Sequence, residues 1–478
     1  MHTPTEEQTA IILAAQTSTE NLLIDALAGA AKTSTLVMIA EALPDTEILC
    51  LAFNKKIAEE MTRRLPSNCK AMTLNSLGHR VWAEATGLRL TLKTDKTYTI
   101  LKSLIDALPP EEKKSAYASF AELLRLIDFG KQCGFIPTGH YEKAKQLMNS
   151  EDFFSHIENR LTKLEEELIT SATVESIKQA FAGVIDFSDQ ILMPTVFHGA
   201  FPRYPLVLID EAQDLSALNH ATLKKLVKKR LIAVGDPCQA IYGFRGAHAD
   251  SMVMLAKEFS MTQLNLSISF RCPKAIVKHS HWRAPRMEFP AWAKEGEIHH
   301  WTSWYAKDLP ESATILCRNN APLFACAIKL LKNGRSAELS GNDVSKALAK
   351  IMSKFGDNKL LASVVLEKID QWEQAQKTKT RKHGHGSISD RAECMRLFAN
   401  QGENLGDALA YMEYLNRQHS PLKLLSIHKS KGLEFPDVFI LDQHLISNED
   451  QNPNLRYVAI TRAQNSLTYI EMEDFNDN

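Results

Sequence analysis

The chain has 478 residues, with 56 Lys and Arg against 57 Asp and Glu and a formal net charge of −1. That balance argues against a histone-like or polybasic binder but leaves room for local basic channels. Hydrophobic residues make up 44% and charged residues 24%, enough for several cores, and no apolar run approaches the roughly 20 residues of a membrane span. The opening stretch MHTPTEEQTAII has no apolar signal core, and none of the eight cysteines forms a CxxC pair. A cytoplasmic protein with free thiols is expected, with no membrane contact, zinc ribbon or disulfide framework.

In chain order, NLLID (21–25) is a short apolar run that predicts a buried strand, and KTSTLVMIAEAL (32–43) has helical spacing and stops at Pro44. EILCLAF (47–53) predicts another strand, so strand, Gly-containing turn, helix and strand follow in the order of a parallel sheet. From 81 to 185 leucines and charges recur at helical spacing, as in FAELLRLIDFGKQ and ENRLTKLEEELI. Strand patterns return at YPLVLIDEAQD (204–214) and RLIAVGDPCQ (230–239). A second set follows: ATILCRNN (313–320), LKLLSIHKSKG (422–432), DVFIL (437–441) and SLTYIEM (466–472). Another helical stretch, 343–419, carries the basic loop KTKTRKHGHG (377–386) with Lys377, Lys379, Arg381 and Lys382. The expected class is α/β: two parallel-sheet cores, each with a mainly helical insertion. The first core covers 1–80 and 186–265 around an insertion at 81–185. The second covers 266–342 and 420–478 around a short insertion at 343–419.

The stretch ALAGAAKTS (26–34) joins a strand to a helix, where backbone amides can hold phosphates. Lys32 suits β- and γ-phosphates, the Thr33 hydroxyl suits Mg²⁺, and Gly29 permits a tight turn. The glycine usual before the lysine is Ala31 here. With helical backbone angles alanine is tolerated there, whereas φ > 0 costs on the order of 1 kcal/mol. The expectation is φ < 0, with the methyl turned away from the phosphates. LVLIDEAQD delivers Asp210 and Glu211 at a strand end, where Asp210 can hold Mg²⁺ and Glu211 can polarise water. VGDPCQAIYGFRGA (234–247) adds Gln239, placed to sense the γ-phosphate, then Tyr242, Phe244 and Arg245. Those aromatics either stack nucleobases or belong to a core.

The ordered motifs resemble superfamily 1A DNA helicases of the UvrD/Rep/PcrA type, in a compact phage- or bacterial-like form, over nearly the whole chain. The resemblance implies two RecA-like cores of the P-loop NTPase kind with ATP and Mg²⁺ between them. PTEEQTAI resembles the Q-motif, with Gln8 reading adenine. Ala26, Leu27, Ala28, Gly29, Ala30, Ala31, Lys32, Thr33 and Ser34 occupy the phosphate-loop place. LAFNKKIAEEM and TLNSLGHR resemble segments that touch single-stranded DNA through Phe53, Asn54 and Asn75, and DFSDQI (186–191) resembles the segment before the acidic strand. Phe244 stands where the family usually has Trp. SISFRCP implies Phe270 stacking on adenine and Arg271 reaching the γ-phosphate. LCRNN implies DNA contact through Arg318 and Asn319. SIHKSKGLEFPDVFIL implies His428 toward DNA and Glu434 toward the ribose, and LRYVAITRA makes Arg462 an arginine finger.

The resemblance implies an ATP-dependent, DNA-stimulated helicase or translocase that moves 3′→5′ on single-stranded DNA and at junctions with duplex. Repair, recombination and replication are the matching settings, with replication or repair proteins as partners and a monomer as the expected state. Two alternatives stay open: a 5′→3′ motor of the RecD/Dda type, and a non-hydrolysing DNA-binding recombination modulator resting on Ala31. The short second insertion fits either a less inhibited unwinding motor or a protein-stripping translocase. The basic loop 377–386 is either a phosphate contact or a solvated loop. His279, His281, His299 and His300 show no regular ligand spacing and are expected on the surface.

Overall fold

Largely apolar central strands, with more polar strands at the edges, build two six-stranded sheets of parallel strands. The computed structural model describes residues 3–157, 161–241, 250–340, 342–378, 380, 384–446 and 452–477. It divides into two compact units, Met1–Leu266 and Ser267–Asn478.

The first unit holds a six-stranded sheet. Edge to edge its strands are Cys69–Met72, Ile48–Leu51, Tyr204–Ile209, Val227–Gly235, Leu22–Ala26 and Thr262–Leu266, all parallel. Parallel strands covered on both faces read as continuous apolar runs, and Ile48–Leu51 is buried throughout. Alternation then sorts the side chains. Leu22 and Ile24 pack with Ile11 and Leu36 on one face, while Leu23 packs with Leu77, Val81 and Leu255 on the other.

The helices Lys96–Asp106, Phe120–Cys133 and Lys163–Phe181 share a core of their own that includes Ile100, Leu123, Ile127 and Ile169. Their connection to the segment before the acidic strand is ionic and buried. Lys96 Nζ lies 2.6 Å from Asp189, and Lys131 Nζ lies 2.6 Å from Asp186 and 3.0 Å from Asp189. Lys131 and Asp189 are sealed from solvent. Burial pulls Lys96 below the ordinary lysine range, whereas at Lys131 burial is outweighed by the two aspartates, which hold it above. Burial favours the neutral form of Asp186 too, yet Lys131 brings it down to about 2. DFSDQI therefore serves as a clamp between helices and core.

The second unit repeats the sheet plan: Glu338–Leu339, Lys423–Ser426, Thr314–Cys317, Phe435–Leu441, Ala463–Ile470 and Glu297–His300, again all parallel. Between its third and fourth strands in sequence, Glu338–Leu339 and Lys423–Ser426, come the helices Asn342–Met352, Ala362–Thr378, His385–Ala399 and Leu405–Asn416. Val365, Ile369, Met395 and Phe398 from these helices join the sheet's core with Ile315, Phe324 and Phe439. In the basic loop, Lys377 pairs with Glu373 at 2.6 Å, while Lys379, Arg381 and Lys382 lie outside the described residues. All eight cysteines are free. Among the described residues, no helix is long and apolar enough to cross a membrane.

Candidate functional site

The strand Leu22–Ala26 stops where Leu27 N–H donates to the Leu266 carbonyl (3.0 Å), and a turn follows in which Ala30 N–H donates to Leu27 (3.1 Å). Gly29 takes φ 74°, the tight turn expected of it. Ala31 departs from expectation. Its φ is 54° and its ψ 39°, in the left-handed region, and it is the N-cap of the helix Lys32–Glu41. The expected φ < 0 treats Ala31 as the first helical residue. The chain instead begins its helix at Lys32, and the reversal from Gly29 is completed at Ala31, whose carbonyl accepts from Thr35 N–H at 2.9 Å. Alanine holds there the conformation glycine adopts freely, at a cost of about 1 kcal/mol. Ala31 supplies no side-chain cap, so the first-turn amides suit an anion.

Across the sheet's carboxyl edge the expected residues meet. Thr33 Oγ1 donates to Asp210 Oδ2 at 2.7 Å, and Lys32 Nζ lies 3.7 Å from Glu211 Oε2. Asp210 is 3% exposed. Burial, aided by the neighbouring Glu211 carboxylate, pushes it up to about 6, against the pull of Lys32 and Thr33. Glu211 sits at φ 57°, a strained value for a non-glycine residue, and its carboxylate accepts from the Gln213 amide. Gln239 is 4% exposed, and its amide donates to Asp236 Oδ2 at 2.6 Å. A hydroxyl and a carboxylate at hydrogen-bond distance are two hard oxygen donors of the kind Mg²⁺ takes.

Sequence reasoning missed Asp236 and Gln213. Asp236 is fully buried and pushed above the ordinary range by burial, with Lys32 as its largest counterweight. It accepts from Cys238 N–H at 2.9 Å and fixes Gln239, while its own N–H donates to Gln213 Oε1 at 2.9 Å. The signal was an aspartate directly after a strand, in VGDPCQ, overshadowed by the glutamine.

Several expected ligand contacts have local structural partners. Gln8 forms a capping box with Thr5 at the start of the helix Glu6–Thr17, and its Nε2 donates to Thr35 Oγ1 at 3.1 Å. Asn54 caps the helix Lys55–Arg64, accepting from Ile57 N–H at 2.9 Å. Asn75 donates to the Phe187 carbonyl (2.7 Å) and to Gln190 (3.0 Å). Phe53 is 44% exposed. It lines a cavity of about 730 Å³ that also reaches Asn75, Arg125, Asp210 and Glu211. Tyr242, Phe244 and Arg245 lie outside the described residues.

In the second unit, Phe270 is 38% exposed. Arg271 and Glu434 meet each other, Nε to Oε2 at 2.6 Å, and Arg271 also reaches the Thr461 carbonyl at 3.4 Å. Arg462 is 1% exposed. It donates to the carbonyls of Val458 (2.9 Å) and Leu433 (3.0 Å) and to Thr461 Oγ1 (3.2 Å). The expected finger is thus bonded to acceptors of its own unit. Arg318 and Asn319 are half-buried at the start of the helix Asn320–Lys332, whose first amides are capped by Asp390 (Ala321 N–H, 2.9 Å). His428 sits half-buried in the short helix Ile427–Ser430. The four clustered histidines go separate ways. His279 bonds Tyr469 (2.8 Å), His281 the Met287 carbonyl (2.9 Å) and His299 Glu297 (2.9 Å), while His300 stacks on Tyr469.

Residues 5–260 match the family description UvrD/REP helicase N-terminal domain, and residues 421–469 match the UvrD-like helicase C-terminal domain. The chain is 25% identical to F-box DNA helicase protein 1 of Schizosaccharomyces pombe over 97% of this chain and 57% of that protein. It is 24% identical to DNA helicase II of Haemophilus influenzae over 55% of this chain and 38% of that protein. Identity to ATP-dependent DNA helicase PcrA of Leuconostoc citreum is 23% over 64% of this chain and 43% of that protein. The chain spans about half the length of the curated relatives it matches. A match over more than half its residues, on a sheet edge that assembles Lys32, Thr33, Asp210 and Glu211, makes the chain a member of the UvrD/REP helicase family.

Proposed function

We propose that this chain is an ATP-dependent DNA helicase or translocase that moves 3′→5′ on single-stranded DNA and acts at junctions with duplex. The observation that carries the reading is the meeting of Lys32 with Glu211 and of Thr33 with Asp210 on one sheet edge. Bound ATP would supply the phosphoanhydride, and Mg²⁺ would neutralise its charge. Thr33 and Asp210 are the residues suited to hold the metal, and Lys32 with the first-turn amides suits the phosphates. Glu211 accepts the proton of the attacking water, and Gln239, oriented by Asp236, aligns that water. Arg271 and Arg462 stabilise the charge on the transferring group after exchanging their present partners. Phe53, Asn54, Asn75, Tyr242, Phe244, Arg245, Arg318, Asn319 and His428 contact the DNA. The free thiols support work in the cytoplasm, in repair, recombination or replication.

The test is ATP turnover with and without single-stranded DNA for wild type and Lys32→Ala, together with strand displacement on 3′- and 5′-tailed duplexes. DNA-stimulated turnover that falls at least about 10²-fold in Lys32→Ala is expected. Absence of stimulated turnover would sink the motor, and unwinding from 5′ tails alone would favour the 5′→3′ alternative.

One observation favours a second reading, a DNA-binding modulator with a degenerate nucleotide site: the left-handed backbone at Ala31, where φ is 54°. DNA binding without turnover, with turnover appearing in Ala31→Gly, is the result that reading requires.

A further inference from the structure

The neighbouring strands Phe435–Leu441 and Ala463–Ile470 end side by side, and each is followed directly by a carboxylate, Asp442 and Glu471. Asp442 N–H donates to the Ile470 carbonyl at 2.9 Å, so the two ends are fixed against each other. The chain then turns into the short 3₁₀ helix Gln443–Leu445, which carries His444 to the same spot. His444 Nδ1 lies 3.0 Å from Glu471 Oε2. One ligand atom from each of Asp442, His444 and Glu471 lies within 4.8 Å of the other two.

The backbone around the three side chains is held by its own hydrogen bonds. Leu445 N–H donates to the Asp442 carbonyl and Ile446 N–H to the Gln443 carbonyl, both at 3.0 Å. Trp304, fully buried, donates its indole N–H to the Glu471 carbonyl at 2.9 Å. The frame that presents the cluster is therefore set before any ligand arrives.

The charges of the cluster do not balance. Asp442 is 7% exposed, and its carboxylate accepts the Met472 N–H at 2.8 Å. Among the described residues no lysine or arginine pairs with Asp442 or Glu471, whose ionisable partner is His444. Burial, then the contact with Asp442, pushes Glu471 above the ordinary glutamate range, against the pull of His444. Two carboxylates that share a buried corner without a cation disfavour each other's charge, and a divalent ion supplies what they lack.

The donor set selects among ions. Carboxylates alone suit Mg²⁺ or Ca²⁺, whereas an added imidazole turns the choice toward Zn²⁺. Zn²⁺ ligands sit about 2.0–2.2 Å from the ion, which puts neighbouring ligand atoms of a tetrahedral set about 3.4 Å apart. The 3.0 Å between His444 and Glu471 is already close to that spacing. The His444 side chain is 67% exposed and that of Glu471 26%, so the ion has a way in and water can reach a fourth position.

We propose that Asp442, His444 and Glu471 form a three-ligand Zn²⁺ site, with water as the fourth ligand. The ion ties the turn after one strand to the end of its neighbour and acts as a staple within the second unit. The site stands apart from the nucleotide reading, and its test uses no ATP.

The full chain, stripped with a chelator, is titrated with Zn²⁺ by calorimetry as wild type, His444→Ala and Asp442→Asn. Asparagine keeps an acceptor for Met472 N–H and removes the charge, and His444 is exposed enough to be cut back without opening a core. Loss of an outer partner of a bound metal weakens its affinity about 10–100-fold. Each variant alters a direct ligand, so each is expected to bind Zn²⁺ at least about tenfold more weakly than wild type. Zn²⁺ should raise the melting temperature of wild type and of neither variant, while His444→Ala melts with wild type in chelator. Mg²⁺ in about hundredfold excess should not displace the ion. Absence of binding in wild type, or binding unchanged in either variant, overturns the site. Displacement by Mg²⁺ overturns the assignment to Zn²⁺, and binding without a higher melting temperature overturns the staple.

Discussion

Lys32 of the first unit and the two arginines Arg271 and Arg462 of the second meet their surroundings in opposite ways. Lys32 lies 3.7 Å from Glu211, with Asp210 and Asp236 also acting on it electrostatically. Its neighbours are carboxylates that crowd one another and welcome positive charge. Arg462 is already bonded to the carbonyls of Val458 and Leu433, and Arg271 to Glu434. The first unit therefore gathers carboxylates around its lysine, whereas the second bonds its two arginines to acceptors of its own. Prior gathering lowers the ordering cost of binding. Under the proposed function each arginine exchanges hydrogen bonds of about 1–3 kcal/mol before it engages a phosphate.

The largest effect is expected at the scaffold of the first unit. Lys131→Ala leaves Asp186 and part of Asp189 buried without their cation. Breaking such a pair costs about 3–5 kcal/mol, to be read as a fall in urea-unfolding stability. A loss under 1 kcal/mol would mean the helices are not clamped through these charges.

Acid acts on the same clamp. The carboxyl of Asp186 is held at about 2 instead of its ordinary 3.8. It contributes stability that is fully present above pH 3.8 and is lost as pH falls through about 2. The gap in unfolding free energy between wild type and Asp186→Asn should shrink by about 2 kcal/mol across that window. A gap that stays constant with pH would show the shift to be absent.

Ala31→Gly sharpens the account of the cradle. Relief of the left-handed backbone outweighs the added freedom of the unfolded chain, so a gain of about 0.5–1 kcal/mol is expected. Lower stability in the glycine variant would place φ of Ala31 below zero in solution.

The smallest effect belongs to the second unit. Glu434 is 49% exposed against 18% for Arg271, so Glu434→Gln should change stability by less than about 1 kcal/mol. If the carboxylate only stores Arg271, a larger loss is inconsistent with a releasable pair.

Much of the first unit was legible along the chain. The apolar stretches of NLLID, LVLID and LIAVG announced parallel strands, Asp210 and Glu211 announced a polar strand end, and KTS announced the helix start. Local partners were not legible. Gln8 and Asn54 carry side chains that suit a ligand, and each also meets a helix start, Asn54 as the cap itself and Gln8 by accepting from Thr5 N–H, because orphan amides at a helix start compete for any nearby oxygen. Asp236 was passed over because burial, which decides what a carboxylate does, has no one-residue signature.

By itself the sequence determined which residue types reach the ends of which strands, since burial on both sheet faces demands continuous apolar runs and punctuates them with polar ends. Tertiary structure alone decided the left-handed turn at Ala31, the partners of Arg271 and Arg462, and the meeting of Asp442 with His444 and Glu471. Those outcomes depend on chain closure and on contacts between distant segments, such as the bridge of Ile268 with Glu288. Local propensity carries no term for either.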